Sequence, residues 1–177
     1  MAIRKVELYP SAVLREKART VEAVTPEIES LMADMVETMH HAGGAGLAAN
    51  QVGVPLRVMV VNLGIDGGEE ELKFFINPEI LHAEGESIRE EGCLSFPQLF
   101  EKVRRPGKVK VRALDAEGKP FELEGDAYLA HALCHEIDHL EGVLFLDRVS
   151  PVRREILKRK IRKLIREGEW DDPYPAG

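Results

Sequence analysis

The segment His135–His139 constrains the fold more than any other part of the chain, because its order, His-Glu-Ile-Asp-His, can act as a metal-binding HExxH motif when it is helical. Residues four apart in an α-helix differ by about 40° in direction and by one turn, so both imidazoles face one point. We therefore predict a helix over residues 127–140, in which His135 and His139 bind one metal ion. Glu136 would lie on the flank, where it can reach the reacting water.

His131 lies on the same face of this predicted helix, one turn before His135. At about 1.5 Å per residue, His131 and His139 are about 12 Å apart along the helix axis, too far for one ion to bind both. Glu136 accompanies the later pair, which favours His135 and His139 as ligands. We interpret His131 as a residue that lines the same cleft without binding the metal.

A catalytic metal site needs a third protein ligand and an open coordination position. In one class of HExxH protease the third ligand is a histidine six residues after the motif, where this chain has Phe145. In thermolysin-like enzymes it is a downstream glutamate, for which Glu155 is the candidate, although it lies in a strongly basic stretch. Cys93 is the better candidate, because a thiolate binds soft and borderline divalent metals well. Cys134 lies off the ligand face and is interpreted as a core residue.

With 44% hydrophobic and 31% charged residues, the composition is that of a globular protein. We predict a single catalytic domain over residues 1–177. The net charge of −7 argues against a sequence-specific nucleic-acid-binding protein. Two cysteines are too few for a disulfide framework, and the N-terminal residues lack the apolar run of a signal peptide. The longest apolar stretch, residues 58–63, is too short to span a bilayer. We therefore expect a cytoplasmic protein without membrane contact.

The C-terminal part of the sequence has the opposite charge. Residues 151–166 have a net charge of +7, which leaves −14 for the rest of the chain. Glu155 is the one acid among eight basic residues: Arg153, Arg154, Lys158, Arg159, Lys160, Arg162, Lys163 and Arg166. An apolar stripe follows the same stretch, so we predict a basic amphipathic helix over residues 151–168, after a cap at Ser150. Such a face is either a solvated surface or a docking site.

Sequence patterns elsewhere predict an α+β fold, with mainly antiparallel sheets packed around the central HExxH helix. An N-terminal helix is predicted from Pro26, with Thr25 as its N-cap, to just before Gly43. Asp126 is the predicted cap of the HExxH helix, which would end at Gly142. Strands are predicted over residues 57–63, 72–76, 78–82, 109–114, 120–123 and 143–146, and residues 84–107 are expected to be mostly loop.

Three short segments carry specific motifs: Gly44–Gln51 reads GAGLAANQ, Glu91–Ser95 reads EGCLS, and His135–His139 reads HEIDH. In the same order and at similar spacing, they resemble the GxGLAxxQ, EGCLS and HExDH motifs of peptide deformylases. The resemblance covers nearly the whole chain. The sequence departs from the common family pattern at four positions that are neither ligands nor the catalytic glutamate: Ala45, Asn50, His131 and Cys134.

The resemblance implies removal of the N-formyl group from nascent polypeptides that begin with formyl-methionine. Three groups of residues would carry it out. The metal ligands would be Cys93, His135 and His139. The catalytic groups would be Glu136 as general base, with the Gln51 side-chain amide and the Leu94 backbone N–H as donors to the tetrahedral oxyanion. The substrate-binding residues would be Gly44, Ala45, Gly46, Glu91 and Gly92, together with the lining residue His131.

The resemblance also implies one divalent metal ion, with Fe²⁺ as the native metal and Zn²⁺, Ni²⁺ or Co²⁺ able to occupy the site. On ligand grounds alone, a Cys/His/His set suits zinc equally well. The expected partners are formyl-Met nascent peptides. The helix over 151–168 would then be a candidate for docking to the ribosome, with a merely solvated basic face as the alternative.

Two other functions are compatible with an HExxH motif. One is a zinc endopeptidase, which would cleave unformylated peptides. The other is a peptide-binding module stabilised by a closed, four-ligand metal site. The sequence offers no convincing fourth ligand for the second, unless Glu136 or Asp138 coordinates the metal.

Overall fold

Residues 2–176 are described by the structure, a computed structural model, and they form the α+β fold that the sequence predicts. Its helices are α1 (Pro26–Ala42), α2 (Ala127–Leu140) and α3 (Pro151–Arg166). Its strands are β1 (Gly46–Ala48), β2 (Val58–Asn62), β3 (Leu72–Glu84), β4 (Ser87–Cys93), β5 (Phe96–Arg105), β6 (Lys108–Leu114) and β7 (Pro120–Asp126). Short 3₁₀ helices cover Ala12–Arg15, Ala49–Val52 and Phe145–Arg148.

The strands of residues 2–176 form two antiparallel sheets. The larger sheet has the order β1-β2-β3-β6-β7, and the smaller is the hairpin of β4 and β5. Helix α2 packs against strands of both sheets. Ala130, Leu133 and Ile137 of α2 share a buried cluster with Met59 and Phe75 of the larger sheet. The helix that carries the HExxH motif is therefore central, as predicted.

Helix α1 begins and ends where the sequence predicts. The Thr25 side chain accepts a hydrogen bond from the Ile28 backbone N–H, and Gly43 ends the helix in the left-handed conformation with φ 69°. Met35 and Met39 of α1 are fully buried against the sheet on the side opposite to α2. These contacts fix α1 next to the glycine-rich segment that follows it.

Asp126 occupies the N-cap position of α2, as predicted, but its side chain does not cap the helix. Asp126 makes no side-chain hydrogen bond to the helix. The carboxylate of Asp66 takes its place, accepting hydrogen bonds from the backbone N–H groups of Tyr128 at 3.0 Å and Leu129 at 3.1 Å. The chain enters α2 through Ala127, whose φ is 50°. A cap supplied from a distant loop leaves no local sequence signal.

The prediction of a mostly irregular segment over residues 84–107 is also wrong. Most of this segment forms the β4–β5 hairpin, paired from Ser87↔Arg105 to Cys93↔Phe96. Its buried positions include Glu91 and Arg105, which are charged residues. Because these two buried positions are charged and not apolar, the sequence lacks the alternation of apolar and polar residues that predicts a half-buried strand.

The two strands predicted over residues 72–76 and 78–82 form one long strand, β3. The chain is irregular at their junction, where Asn77 has φ 53° and the pairing with β6 shifts between Ile76 and Glu79. The Asn77 side chain makes two hydrogen bonds of 2.8 Å to the backbone of Val21. This irregularity produces the local break that the sequence pattern shows.

The short strand predicted over residues 143–146 is wrong, because Phe145–Arg148 is a 3₁₀ helix with Phe145 and Leu146 buried. A short apolar run does not distinguish a strand from other buried segments.

The Ser150 cap of α3 is confirmed by its hydrogen bond from the Arg153 N–H, and α3 ends at Arg166, two residues before the predicted limit. Within residues 2–176, no helix has the length and apolar character needed to cross a membrane.

Candidate metal centre and active site

The two histidines of the HExxH motif meet Cys93 at one point. Helix α2 presents both His135 and His139 to it, and Cys93 is the last residue of β4. The Cys93 sulfur lies 3.3 Å from Nε2 of His139. Ligand atoms of the three side chains all lie within 4.8 Å of one another. Glu155, the alternative third ligand, lies on α3 beside Lys158 and is not part of this group.

The end of β4 is irregular where it positions Cys93. The pairing of β4 with β5 shifts register between Gly92 and Cys93, and Cys93 then pairs with Phe96 across a two-residue turn. Irregularities of this kind change the direction of the side chains that follow. Leu94 is the first residue of the turn, so its backbone N–H directly follows the candidate ligand in the chain.

Glu91 orients the histidines of α2 from the neighbouring strand. Its two carboxylate oxygens contact Nδ1 of His135 at 2.9 Å and Nδ1 of His131 at 2.6 Å. A carboxylate that accepts from Nδ1 leaves Nε2 of the same ring free to bind a metal. The second ring nitrogen of His131 is buried and has no hydrogen-bond partner among residues 2–176.

Arg105 holds this carboxylate in place. Its guanidinium donates to both oxygens of Glu91, at 2.7 and 2.9 Å, and to Asp138 of α2 at 2.7 Å. Asp138 is also paired with Arg148. Burial would raise the pKa of Glu91, but the hydrogen bonds from Arg105 and His135 hold it well below its ordinary range. Glu91 is therefore an anion in the folded protein, and this ion-pair network joins the hairpin to α2.

The charges around the two candidate histidine ligands favour a cation. Burial would lower the pKa of His135, but the Cys93 sulfur and the Glu91 carboxylate raise it well above its ordinary value. Burial and the nearby His135 lower the pKa of His139, so its ring is neutral, which is the form that binds metals. A divalent ion would supply the positive charge that the site favours, so the residues present fit a metal centre.

Glu136 lies beside this centre without a partner. It is buried, at 5% relative exposure, and its Oε2 has no hydrogen-bond partner among residues 2–176. Burial raises its pKa to about 7. A Cβ added at Gly46 of β1 would lie 3.1 Å from Oε1 of Glu136, so glycine lets the strand pass this close. A buried carboxyl group with a pKa near neutrality is suited to accept and return a proton.

Gln51 is held rigidly beside Cys93. Its side-chain oxygen accepts from the Ala48 N–H at 3.0 Å. Its amide nitrogen lies 3.2 Å from Oγ of Ser95 and 3.6 Å from the Cys93 sulfur. The residue is 1% exposed. The residue therefore presents an N–H donor next to the candidate metal centre, in an orientation that its neighbours fix.

A cleft of about 570 Å³ opens onto this site. It is lined by eleven of the twelve predicted site residues: Gly44, Ala45, Gly46, Gln51, Glu91, Gly92, Cys93, Leu94, His131, His135 and Glu136. His139 is not part of the lining and is 1% exposed. The glycine-rich segment, the β4–β5 hairpin and α2 thus converge on one cavity, although they are distant in the sequence.

Three residues that support the site, Ser95, Arg105 and Asp138, had no supporting role predicted from the sequence. Ser95 orients Gln51, and Arg105 and Asp138 fix Glu91 and α2. Asp138 lies inside the HExxH motif, and this position could have identified it as part of the site. Arg105 had no such signal, because it lies ten residues after the recognised EGCLS segment in a stretch interpreted as loop.

The family model of polypeptide deformylase matches residues 3–155 of the chain. The peptide deformylase of Acidobacterium capsulatum is 46% identical over 170 residues, which are 96% of this chain and 100% of the relative. That of Caldanaerobacter subterraneus subsp. tengcongensis is 52% identical over 149 residues, 84% of this chain and 91% of the relative.

Solved structures agree with the sequence comparisons. The crystal structure of a peptide deformylase from Legionella pneumophila superposes with a TM-score of 0.87 at 45% identity, covering 96% of this chain and 99% of that one. The peptide deformylase of Ehrlichia chaffeensis in complex with actinonin has a TM-score of 0.86 at 35% identity, covering 92% and 98%. The chain therefore belongs to the polypeptide deformylase family, hydrolases that remove the N-formyl group from the N-terminal formyl-methionine of newly synthesised polypeptides.

Proposed function

We propose that this chain performs deformylation with one divalent ion held by Cys93, His135 and His139, and with Glu136 as general base. One observation carries the proposal. Three candidate ligand side chains with donor atoms within 4.8 Å of one another lie on a cleft beside Glu136, whose buried Oε2 has no hydrogen-bond partner among residues 2–176. The three ligands leave a coordination position open, as a catalytic site requires. Residues 1–177 would act as one catalytic domain.

A bound divalent ion supplies Lewis-acid chemistry, polarising the formyl carbonyl and lowering the pKa of water at the site. Glu136 then has two tasks. Its carboxylate accepts the proton of the water that attacks the formyl carbon, and it returns this proton to the amine that leaves. Its burial, and the lack of a competing hydrogen bond to Oε2 from residues 2–176, support both tasks.

The tetrahedral oxyanion needs donors that are already in position. We assign this role to the side-chain amide of Gln51 and the backbone N–H of Leu94. Gln51 is supported by its fixed orientation through Ala48 and Ser95. Leu94 is supported by its place in the turn directly after Cys93.

The substrate backbone would bind along the edge strand β1. This strand pairs with β2 on one side only within residues 2–176, and Gly44, Ala45 and Gly46 line the cleft. An extended peptide can add to such an edge by main-chain hydrogen bonds. Gly92 would meet the peptide from the opposite side, and His131 would border the pocket for the methionine side chain.

We propose Fe²⁺ as the native metal. The ligand set of one thiolate and two imidazoles supports a borderline divalent ion and is equally compatible with zinc. Anaerobic purification followed by metal analysis and formate-release assays on the same sample tests the metal and the reaction together. Activity that follows zinc content and not iron content would contradict the choice of iron.

The competing endopeptidase function is tested with matched peptides. Formyl-Met-Ala-Gln-Ala and Met-Ala-Gln-Ala are incubated separately with the metal-loaded protein. We expect formate from the first peptide and no cleavage of either peptide backbone. Backbone cleavage of the unformylated peptide without formate release from the other would favour the endopeptidase.

We also propose that α3 docks the enzyme on the ribosome in the cytoplasm, where nascent chains emerge. The supporting observation is that four exposed basic residues of α3 form no ion pair among residues 2–176: Arg159, Lys160, Arg162 and Arg166. Arg153 and Arg154 are used within the protein, by Glu101 and by backbone carbonyls. Changing the four exposed residues to Gln should reduce co-sedimentation with ribosomes, because phosphate contacts depend on positive charge. The matched control neutralises Lys5, Lys17, Arg19 and Lys102, and equal loss in both variants would contradict the proposal.

A further inference from the structure

The three histidines on one face of α2 are used in two overlapping pairs. His135 and His139 meet Cys93 at the candidate metal centre, whereas His131 and His135 both contact the carboxylate of Glu91. Side chains four apart on a helix lie about 5–6 Å apart between their Cβ atoms. This spacing lets one carboxylate contact both rings, one with each oxygen. His135 therefore belongs to both pairs, and His131 contacts the group that orients it.

The hydrogen bonds to Glu91 are divided evenly between its two oxygens. Oε1 accepts from Nη2 of Arg105 at 2.9 Å and lies 2.9 Å from Nδ1 of His135. Oε2 accepts from Nε of Arg105 at 2.7 Å and lies 2.6 Å from Nδ1 of His131. An ionised carboxylate has about four acceptor positions, so these contacts use its full capacity and fix its orientation.

The orientation of Glu91 matters because Glu91 is the outer partner of a candidate ligand. A metal-binding histidine almost always donates its second ring nitrogen to another group, which fixes the ring. For His135 that group is Glu91. Nδ1 of His139 is buried and has no hydrogen-bond partner among residues 2–176. Among these residues, the hydrogen bond that orients the ligand pair is therefore the one from His135 to Glu91.

The imidazole of His131 has Glu91 as its one hydrogen-bond partner among residues 2–176. The residue is 2% exposed, and its Nε2 is buried without a partner although the residue lines the cleft. A buried nitrogen without a partner costs free energy. An apolar side chain would fill this space without that cost, so burial alone does not explain a histidine here. The contact of Nδ1 with Glu91 does.

We propose that His131 is a positioning residue of the metal centre. By donating to Oε2, it holds the Glu91 carboxylate in the orientation in which Oε1 fixes the His135 ring. Loss of this donor would leave a buried oxygen without one of its partners and would allow Glu91 to turn away from His135. The proposal deepens the proposed function and rests on its ligand set.

The first test compares Co²⁺ binding by the full-length wild-type protein and two variants. His131→Leu removes the donor and keeps a side chain of similar size, whereas His131→Asn places an amide N–H near the position of Nδ1. Competition with a chelator measures the dissociation constant of Co²⁺, and the absorption bands of the ion report the geometry of its ligands. We expect His131→Leu to weaken binding about tenfold, the lower end of the usual effect of an outer partner, and to change the bands. His131→Asn should restore most of both.

Kinetics separate positioning from lining. With each protein saturated with Co²⁺, His131→Leu should lower kcat for formate release from formyl-Met-Ala-Gln-Ala about tenfold and change KM by less. Tyr128→Leu is the matched control for the shape of the cleft. Tyr128 lines the cleft and lies beside the His131 ring, with centroids 6.4 Å apart, but is not among the residues that donate to Glu91. This variant should keep the wild-type dissociation constant and absorption bands of Co²⁺.

A measurement on the wild-type protein keeps the proposal testable if His131→Leu does not fold, which circular dichroism shows. Proton–nitrogen NMR of the imidazole rings in the Zn²⁺-loaded protein should find a proton on Nδ1 of His131, and the absence of this signal in His131→Asn assigns it. A His131 ring without a proton on Nδ1 would overturn the proposal, because such a ring cannot donate to Glu91.

The outcomes distinguish the inference from the proposed function. Wild-type Co²⁺ affinity and absorption bands in His131→Leu, or equal losses in His131→Leu and His131→Asn, would overturn the positioning role and leave deformylation intact. A change confined to KM would mean that His131 only lines the cleft, and would also overturn it. A wild-type protein that binds no Co²⁺, or that releases no formate when loaded, would overturn the proposed function and the inference with it.

Discussion

Glu136 is the residue on which the chemistry of the site depends most directly. Its unpartnered oxygen and its burial leave it free to exchange a proton with the reacting groups. Glu136→Gln keeps the shape of the side chain and removes its ability to accept a proton. We expect kcat to fall by about 10²- to 10⁴-fold, the usual contribution of a general base. Formate release measures the loss, and metal content should stay unchanged.

The matched control is Glu124→Gln, which makes the same change on the exposed face of β7 and should keep full activity. Wild-type kcat in Glu136→Gln would exclude the residue as the base.

Gln51 is expected to act in the transition state rather than in ground-state binding. Its amide is already fixed by two hydrogen bonds, so little reorganisation is needed when an oxyanion forms beside Cys93. Gln51→Leu should lower kcat by about 10²- to 10³-fold, as the loss of an oxyanion donor does. Steady-state kinetics with a formyl-Met peptide check this. A change confined to KM would place Gln51 in substrate binding instead.

The sequence predicted that His135 and His139 face one point, because their helical spacing is a local property, and the structure brings both close to Cys93. Their neighbours were harder to predict. Ser95 orients Gln51 from the turn between β4 and β5, and Arg105 orients Glu91 across the hairpin, so each acts on a residue far away in the sequence. A contact between residues far apart in one sequence leaves no periodic signal for pattern analysis to use.

The β4–β5 hairpin is the element that the sequence patterns failed to predict, and it carries Cys93. Its attachment to α2 depends on the ion pairs of Arg105 with Glu91 and Asp138, all three of them buried. A hairpin held by buried charges has fewer apolar positions than a strand with a hydrophobic face. The buried charges that attach the hairpin to α2 are therefore also the reason that the sequence pattern did not predict its strands.

Removing the positive partner of this network should be costly. Arg105→Met would leave Glu91 buried without its main partner, and breaking a buried pair in this way typically costs about 3–5 kcal/mol. We expect a decrease of about 3 kcal/mol in the free energy of unfolding. Urea denaturation at saturating metal measures it.

Arg104→Met is the control, because Arg104 is the adjacent residue of β5 and pairs with Glu86 on the surface. An exposed pair contributes at most about 1 kcal/mol. Similar decreases in the free energy of unfolding for Arg105→Met and Arg104→Met would show that burial does not increase the contribution of the Arg105 network to stability.

The ends of the chain are tied to the body of the molecule through polar contacts that bridge long sequence distances. Arg15 and Asp147 form an ion pair across 132 positions, with its shortest contact at 2.5 Å. Asp147 also accepts a hydrogen bond from the Leu144 N–H at the start of the 3₁₀ helix before α3. Trp170 makes a similar link from the C-terminal residues to Tyr9. The α+β class followed from the sequence, whereas these long-range links required the structure.

The Asp147 link should make stability depend on pH. Burial would raise the pKa of Asp147, but the hydrogen bonds from Arg15 and from the Leu144 N–H lower it below its ordinary value. The unfolded chain therefore binds a proton at a higher pH than the folded protein. The contribution of the carboxylate is fully present above the unfolded pKa and is lost as the pH falls through the folded pKa.

Asp147→Asn should lower the free energy of unfolding by about 1 kcal/mol at pH 7, the scale of a partly exposed charged pair. At pH 3, which is below the ordinary pKa of the carboxyl group in the unfolded chain, part of this contribution is lost, so the difference between the two proteins should shrink. Urea unfolding of both proteins at each pH measures the two differences. Asp126→Asn is the control, because the Asp126 side chain is exposed and does not cap α2, so we expect no change at either pH. A difference for Asp147→Asn of equal size at pH 7 and pH 3 would mean that the ionised carboxylate does not stabilise this link.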